Sequence, residues 1–250
     1  MIRRLFRLLI LLVVLAGLFV LATRLLQKTR TTDTTIREPA PAVDVSVDTG
    51  NVSVSAGATD FIKVHRTVRY SFRKPTLSKT VRNGALRLRG HCPGLTFTSC
   101  RVSYNVTVPP TEDVAVHASA GSVRVRGVVG KVDLQTSAGS VDVGSTQGPL
   151  RLSTSAGSIS GIFLRSPTVR ASTSAGSVKL RFTSAPESLT VSTSAGSVDV
   201  EVPDEVYRVD AHASAGSAHV EVRTDPDATR RITASTSAGS IRIHRGRAPS

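Results

Sequence analysis

The 250-residue sequence has no tryptophan, one methionine, three tyrosines and seven phenylalanines. A core filled by large rings is excluded, so a folded body must be built from Val, Ile, Leu and Ala. The β-branched residues among these suit a pleated, half-buried surface and favour strands. With only two cysteines, a zinc site made by cysteines alone is excluded as well.

Acid is also scarce, with 18 Asp and Glu against 32 Lys and Arg and a net charge of +14. Residues 1–30 carry six bases and no acid, residues 31–110 eleven bases against five acids, and residues 111–250 fifteen against thirteen. The excess therefore lies in the N-terminal part, including the basic segment Lys63 to Lys74, KVHRTVRYSFRK. Basic charge with interleaved aromatics can bind nucleic acid, but strand period separates these residues. Lys63, His65, Thr67, Arg69, Ser71 and Arg73 fall on one face, and Val64, Val68, Tyr70 and Phe72 on the other, interrupted by Arg66. A half-buried strand with a solvated basic face explains the pattern equally well.

An uncharged apolar run from Leu8 to Ala22 follows Arg3, Arg4 and Arg7. It reads as an uncleaved signal anchor over residues 1–27, with a cleaved signal peptide as the alternative. The body is then expected outside the cytoplasm on a single-pass cell-membrane anchor, with no nucleic-acid partner. Anionic envelope polymers or lipid headgroups fit the basic segment better. Cys92 and Cys100 enclose CPGLTFTSC, close enough for a local disulfide, which an oxidising compartment would preserve; two free thiols are the alternative. Residues 28–42, rich in Thr and charge and lacking hydrophobic periodicity, read as a flexible stalk.

From Val43 onward apolar residues alternate strictly, the period of a strand exposed on one face. Residues 43–110 read as an N-terminal cap with irregular first coils. In residues 111–250 the tetrad SAGS occurs seven times, at Ser119-Gly121, Ser137-Gly139, Ser155-Gly157, Ser174-Gly176, Ser194-Gly196, Ser214-Gly216 and Ser237-Gly239, each pair naming the first serine and the glycine. Aliphatic or small apolar residues stand five and three positions before each first serine and four and six after it, with Gly161 the one exception. Each repeat is thus two short strands about a fixed corner, with the glycine supplying positive φ to a type II turn or, alternatively, a type I turn with a bulge.

Repetition of this length predicts an all-β, right-handed β-solenoid in which identical residues stack coil on coil. An antiparallel meander is the competing fold, but it gives the copies no reason to match. The Thr and Ala of the corner are expected to point inward and the serines to form a hydroxyl ladder.

No catalytic, cofactor or metal site is expected. A nucleophilic serine needs a base within reach. His117 and His212 precede their motif serines, but the equivalent position elsewhere is Gln135, Ser153, Ser172, Ser192 and Ser235. SAGS lacks the lysine of a phosphate loop, and Asp133, Asp142 and Asp199 read as solvated outer residues rather than calcium ligands. The column Arg124, Asp142, Ser160, Lys179, Asp199, His219 and Arg242 mixes signs and builds no recurrent carboxylate pair.

VDVSVDTGNVSV (Val43 to Val54), VSYNVTVPP (Val102 to Pro110) and the serial V-x-V-x-T-S-A-G-S-V-x-V units resemble the bacterial putative-adhesin β-solenoid family over about residues 43–245. The resemblance implies a solenoid at the cell envelope, often tethered by an N-terminal helix, and no catalytic residues. The function expected is a structural or interaction scaffold for adhesion or envelope sensing, with an envelope polymer or protein as partner. The alternative is a carbohydrate-active enzyme or polysaccharide-binding protein on a β-helix.

Overall fold

Strict alternation of aliphatic and polar residues buries every second side chain and leaves the backbone to pair laterally. A computed structural model describes residue 17 and residues 27–246, except 39, 72, 83 and 95–99. The N-terminal strands are β1 (Lys28–Ile36), β2 (Ala42–Thr49), β3 (Val52–Ala56), β4 (Ile62–Tyr70), β5 (Thr76–Arg82), β6 (Ala85–His91) and β7 (Cys100–Val108). The repeats contribute β8 (Asp113–Ala120), β9 (Val123–Arg126), β10 (Val132–Ala138), β11 (Val141–Gly144), β12 (Leu150–Ala156), β13 (Ile159–Leu164), β14 (Thr168–Ala175) and β15 (Val178–Phe182). They continue with β16 (Ser188–Ala195), β17 (Val198–Val202), β18 (Val206–Ala215), β19 (Ala218–Glu221), β20 (Arg223–Thr224), β21 (Arg231–Ala238) and β22 (Ile241–Arg245).

These strands form two eleven-stranded sheets. One, here sheet A, runs β1-β4-β7-β3-β9-β11-β13-β15-β17-β22-β19; the other, sheet B, runs β20-β18-β21-β16-β14-β12-β10-β8-β2-β6-β5. Each repeat gives one strand to each sheet, and neighbouring repeats pair in parallel and in register, as Val132 does with Leu150 and Val114. The aliphatic columns meet between the sheets, where Val123, Val132, Leu134, Val141, Ile159, Leu180 and Val200 are fully buried. The fold is the expected all-β solenoid. Gly161 breaks its aliphatic column because Leu164 and Leu180 fill the space where its side chain would stand.

Several expectations change. Residues 28–36, read as part of a flexible stalk, form β1, which pairs antiparallel with β4 from Lys28 opposite Tyr70 to Ile36 opposite Ile62. Hydrophobic periodicity is absent there because β1 is an edge strand, exposed through most of its length and buried only at Ile36. Ser71, assigned to the solvated face of the basic segment, is buried.

The coils also do not stack in sequence order. The last repeat, β21–β22, lies between β16–β17 and β18–β19. At the other end β2–β3 lies between β8–β9 and β6–β7. Both departures have one cause: equivalent copies offer equivalent surfaces, so any copy can stack on any other where a loop lets the chain step over a layer. Among the described residues no helix is long and apolar enough to cross a membrane. The anchor expected over residues 1–27 lies outside the described residues apart from Gly17 and Gln27.

Candidate functional site

The motif residues form a continuous corner. At each step the glycine N–H donates to the alanine carbonyl of a neighbouring coil, as from Gly139 to Ala156 at 2.9 Å and from Gly121 to Ala138 at 2.8 Å. The seven motif glycines have φ between +139° and +152°, positive as expected but well beyond the +80° of a type II turn. Close approach is a second requirement. A Cβ on Gly139 would collide with the carbonyl oxygen of Gly121, and the same holds along the ladder Gly50, Gly121, Gly139, Gly157, Gly176, Gly196, Gly239, Gly216.

Thr136, Thr154, Thr173, Thr193 and Thr236 are buried and donate their hydroxyls to the glycine carbonyls of adjacent coils at 3.0–3.3 Å. The threonines thus point inward as expected. The alanines do not: Ala138, Ala156, Ala175, Ala195, Ala215 and Ala238 are exposed, because the bend interrupts the strand alternation that would otherwise turn the residue two after an inward threonine inward as well.

The first serines, Ser119, Ser137, Ser155, Ser174, Ser194, Ser214 and Ser237, are exposed. The hydroxyl ladder runs instead through the second serines, where Ser158 and Ser177 Oγ accept the N–H groups of Ser177 and Ser197 at 3.4 Å. It also appears two residues before the motif, where Ser172 Oγ donates to Ser153 Oγ at 3.4 Å.

The outer face of sheet B therefore carries a strip of Ser-x-Ser pairs on consecutive strands: Ser153 and Ser155, Ser172 and Ser174, Ser192 and Ser194, Ser235 and Ser237. Toward the N-terminal coils the strip enters an open groove of about 650 Å³, lined among others by Asp48, Arg89, His91, His117, Gln135 and Ser155. Asp48 Oδ2 lies 2.5 Å from His91 Nδ1 and accepts the Cys92 N–H at 2.9 Å. Cys92 is bonded to Cys100, so the disulfide fixes the chain beside His91. Tyr104 supports Arg89 from below by donating to its carbonyl at 3.3 Å, and burial pushes its phenol above the ordinary value.

The sequence hid this groove. Gly50 belongs to the glycine ladder, which places Asp48 in the row of the first serines, but 71 residues separate it from Gly121. Aligning TGNVSV with AGSVRV would have found it.

On the outer face of sheet A the mixed-sign column becomes ordered in space. Its sequence from coil to coil is Arg124, Asp142, Ser160, Lys179, Asp199, Arg242, His219. Ion pairs join Arg124 to Asp142 at 3.5 Å, Lys179 to Asp199 at 3.3 Å and Arg181 to Glu201 at 3.3 Å, and His244 Nε2 lies within hydrogen-bond distance of Asp199 Oδ1 at 3.1 Å. Asp199 and Glu201 stand two residues apart on this face, roughly 7 Å along the strand, within the range of glycosidic carboxylate pairs. Both are engaged by cations from neighbouring strands. Asp133, on sheet B, accepts from the Gln135 amide at 3.3 Å. Among the described residues no three His, Cys, Asp or Glu side chains are grouped to hold a metal ion.

Residues 32–245 match the Toastrack DUF4097 family, nearly the whole described body. The chain belongs to that family. This Toastrack domain matches no curated protein. Solved structures similar to it include a "putative adhesin" from Bacteroides fragilis, 14% identical, with a TM-score of 0.47 over 86% of this chain and 97% of that one. Others are a "putative lipid binding protein" from Parabacteroides distasonis (11%, TM-score 0.45, 86% and 97%) and a "putative cell adhesion protein" from Clostridium sporogenes (12%, 0.41, 88% and 100%).

Proposed function

We propose that this Toastrack domain is a single-pass, membrane-anchored interaction scaffold whose body, a right-handed solenoid, stands on the extracytoplasmic side and works in adhesion or envelope sensing, without catalysis or a cofactor. The observation that carries this reading is how the repeat uses its residues. Threonine, glycine and the aliphatic columns are consumed by the corner and the core, and what repeats on the outside is small and polar. A rigid body with extended regular faces suits the binding of an extended partner. The apolar run from Leu8 to Ala22 behind Arg3, Arg4 and Arg7 supports the anchor. The Cys92–Cys100 disulfide supports an oxidising compartment.

The test is retrieval of partners by the full chain, tagged after Ser250, from solubilised envelope fractions. Stoichiometric capture of an envelope protein or polymer is expected; capture of cytosolic proteins alone, or a periplasm-dependent reporter at Ser250 that stays silent, contradicts the reading.

The Ser-x-Ser strip and the groove favour a second reading, binding of a linear polysaccharide along sheet B. Hydroxyls spaced at the ~4.8 Å strand interval can exchange hydrogen bonds with a polyol chain. Ser155→Arg, which blocks the strip, should then abolish retention on the polysaccharide, and unchanged retention excludes the strip as its site.

A further inference from the structure

The two ends of the solenoid are finished differently. At the N-terminal end the antiparallel strands β1, β4 and β5 close the sheets. The edge strands there carry Lys28, Arg30, Asp33, Lys79 and Arg82, the charged guards that keep an edge from pairing. At the other end β18 pairs with β21 on its inner side, but its outer side meets only β20, through Val206 and Tyr207, and Asp225 just after it, whose N–H donates to the Tyr207 carbonyl at 3.0 Å. Among the described residues no strand covers Arg208–Ala215, nor the outer side of β19, which pairs with β22 alone.

The inward positions of this last coil are Val209, Ala211, Ala213, Ala218 and Val220, with no charge among them. Val220 is 38% exposed, whereas its column mates Val200 and Ile243 are fully buried. A section through the apolar core is therefore open to solvent between two unpaired strand edges.

The polar side chains around this section are self-complementary. If β18 pairs antiparallel with itself about Ala211, Val209 lies opposite Ala213 of the second copy, and Asp210 lies opposite His212 of the second copy. If β19 does the same about Val220, His219 lies opposite Glu221 of the second copy. Asp210, His212, His219 and Glu221 are exposed and take part in no ion pair among the described residues. Ala211 precedes Gly216 by five residues and Val220 follows it by four, so the two centres face each other across the core. One axis serves both.

We propose that this end is a homodimer interface, in which a second copy docks end to end about a two-fold axis through Ala211 and Val220 and continues both sheets by antiparallel pairing. The contact is isologous and closed, so it stops at two copies. The dimer covers the apolar section and satisfies the strand edges. Because β1 and β19 are the opposite edges of an eleven-stranded sheet, ten intervals of ~4.8 Å separate them, and the β1 strands of the two copies stand at opposite ends of the dimer. With the membrane anchor proposed above, that arrangement joins two facing membranes; this consequence rests on the anchor, and the interface does not.

A residue on a two-fold axis meets itself, so single cysteines test the geometry. Opposed Cα atoms in an antiparallel pair lie about 4.5–5.5 Å apart, within disulfide reach. In the full chain, solubilised in detergent and mildly oxidised, Val220→Cys and Ala211→Cys are expected to give a covalent dimer, and Ser158→Cys, at mid-stack, is not. Dimerisation by all three alike, or by none, overturns the proposal. Sedimentation velocity of the unsubstituted chain should show a dimer. Asp210→Lys, which sets a cation opposite His212 of the second copy in place of the carboxylate, on a solvent face and without touching the core, should weaken it roughly tenfold or more. A monomer, or an open series of larger species, overturns the proposal too. Recovery of the chain in the soluble fraction would count against the anchor and leave the cysteine result to decide the interface.

Discussion

A four-residue motif with two serines looks like chemistry, but its side chains divide by direction. Threonine and glycine serve the corner, and the first serine faces water. The consequence for substitution is a sharp contrast within three residues. Gly157→Ala should cost more than ~3 kcal/mol, because it adds a strained φ and drives a methyl into the backbone of Gly139 in a coil that its neighbours hold fixed. Ser155→Ala, at an exposed position, should change stability by no more than ~0.5 kcal/mol. Chemical denaturation midpoints of the two variants measure the difference. Tyr207 gives a second test. It is fully buried, donates its hydroxyl to the Pro203 carbonyl at 3.0 Å, and burial raises its phenol from 10.0 to about 12. The unfolded phenol ionises first, so this contribution is complete below about pH 10 and is lost as pH climbs through the folded value, by ~1–3 kcal/mol. Tyr207→Phe should flatten the fall in stability across that window.

At the scale of elements, the strands and the columns that fill the core were legible, because alternation and a fixed corner are written in every copy. β1 was not, since an edge strand with both faces wet has no hydrophobic period, and only its pairing with β4 gives it away. The groove escaped for a related reason: Asp48 comes from a coil whose motif has degenerated around Gly50, and Arg89 and His91 come from β6, which carries no copy of the motif. The Cys92–Cys100 bridge closes a short loop there, and the entropy of that closure is about 2.5 kcal/mol. Reduction, or Cys92→Ala with Cys100→Ala, should lower the stability of the N-terminal coils by about that amount. It should also raise hydrogen exchange around His91 and Asp48 while leaving β12 to β17 protected, because solenoid coils depend chiefly on their neighbours. Uniformly faster exchange along the stack would contradict this local role.

At the scale of the whole molecule, repetition specifies that copies touch without specifying which. That is why the stack was legible and its order was not: the last repeat fits between the fifth and sixth motif copies as well as beyond them, and the loops decide. The same interchangeability leaves a bare coil at one end and guarded strands at the other, and it separates the expected membrane-proximal end from the end open to a partner. That the motif copies are stacking units, placed by contact and not by sequence, is tested most directly by two double-cysteine variants of the full chain. Ser194 and Ser237 stand in adjacent coils, about one strand interval of ~4.8 Å apart, whereas Ser194 and Ser214 are separated by the coil between them. Ser194→Cys with Ser237→Cys should close an intramolecular disulfide, and Ser194→Cys with Ser214→Cys should not; the reverse result would restore sequential stacking and contradict the fold described.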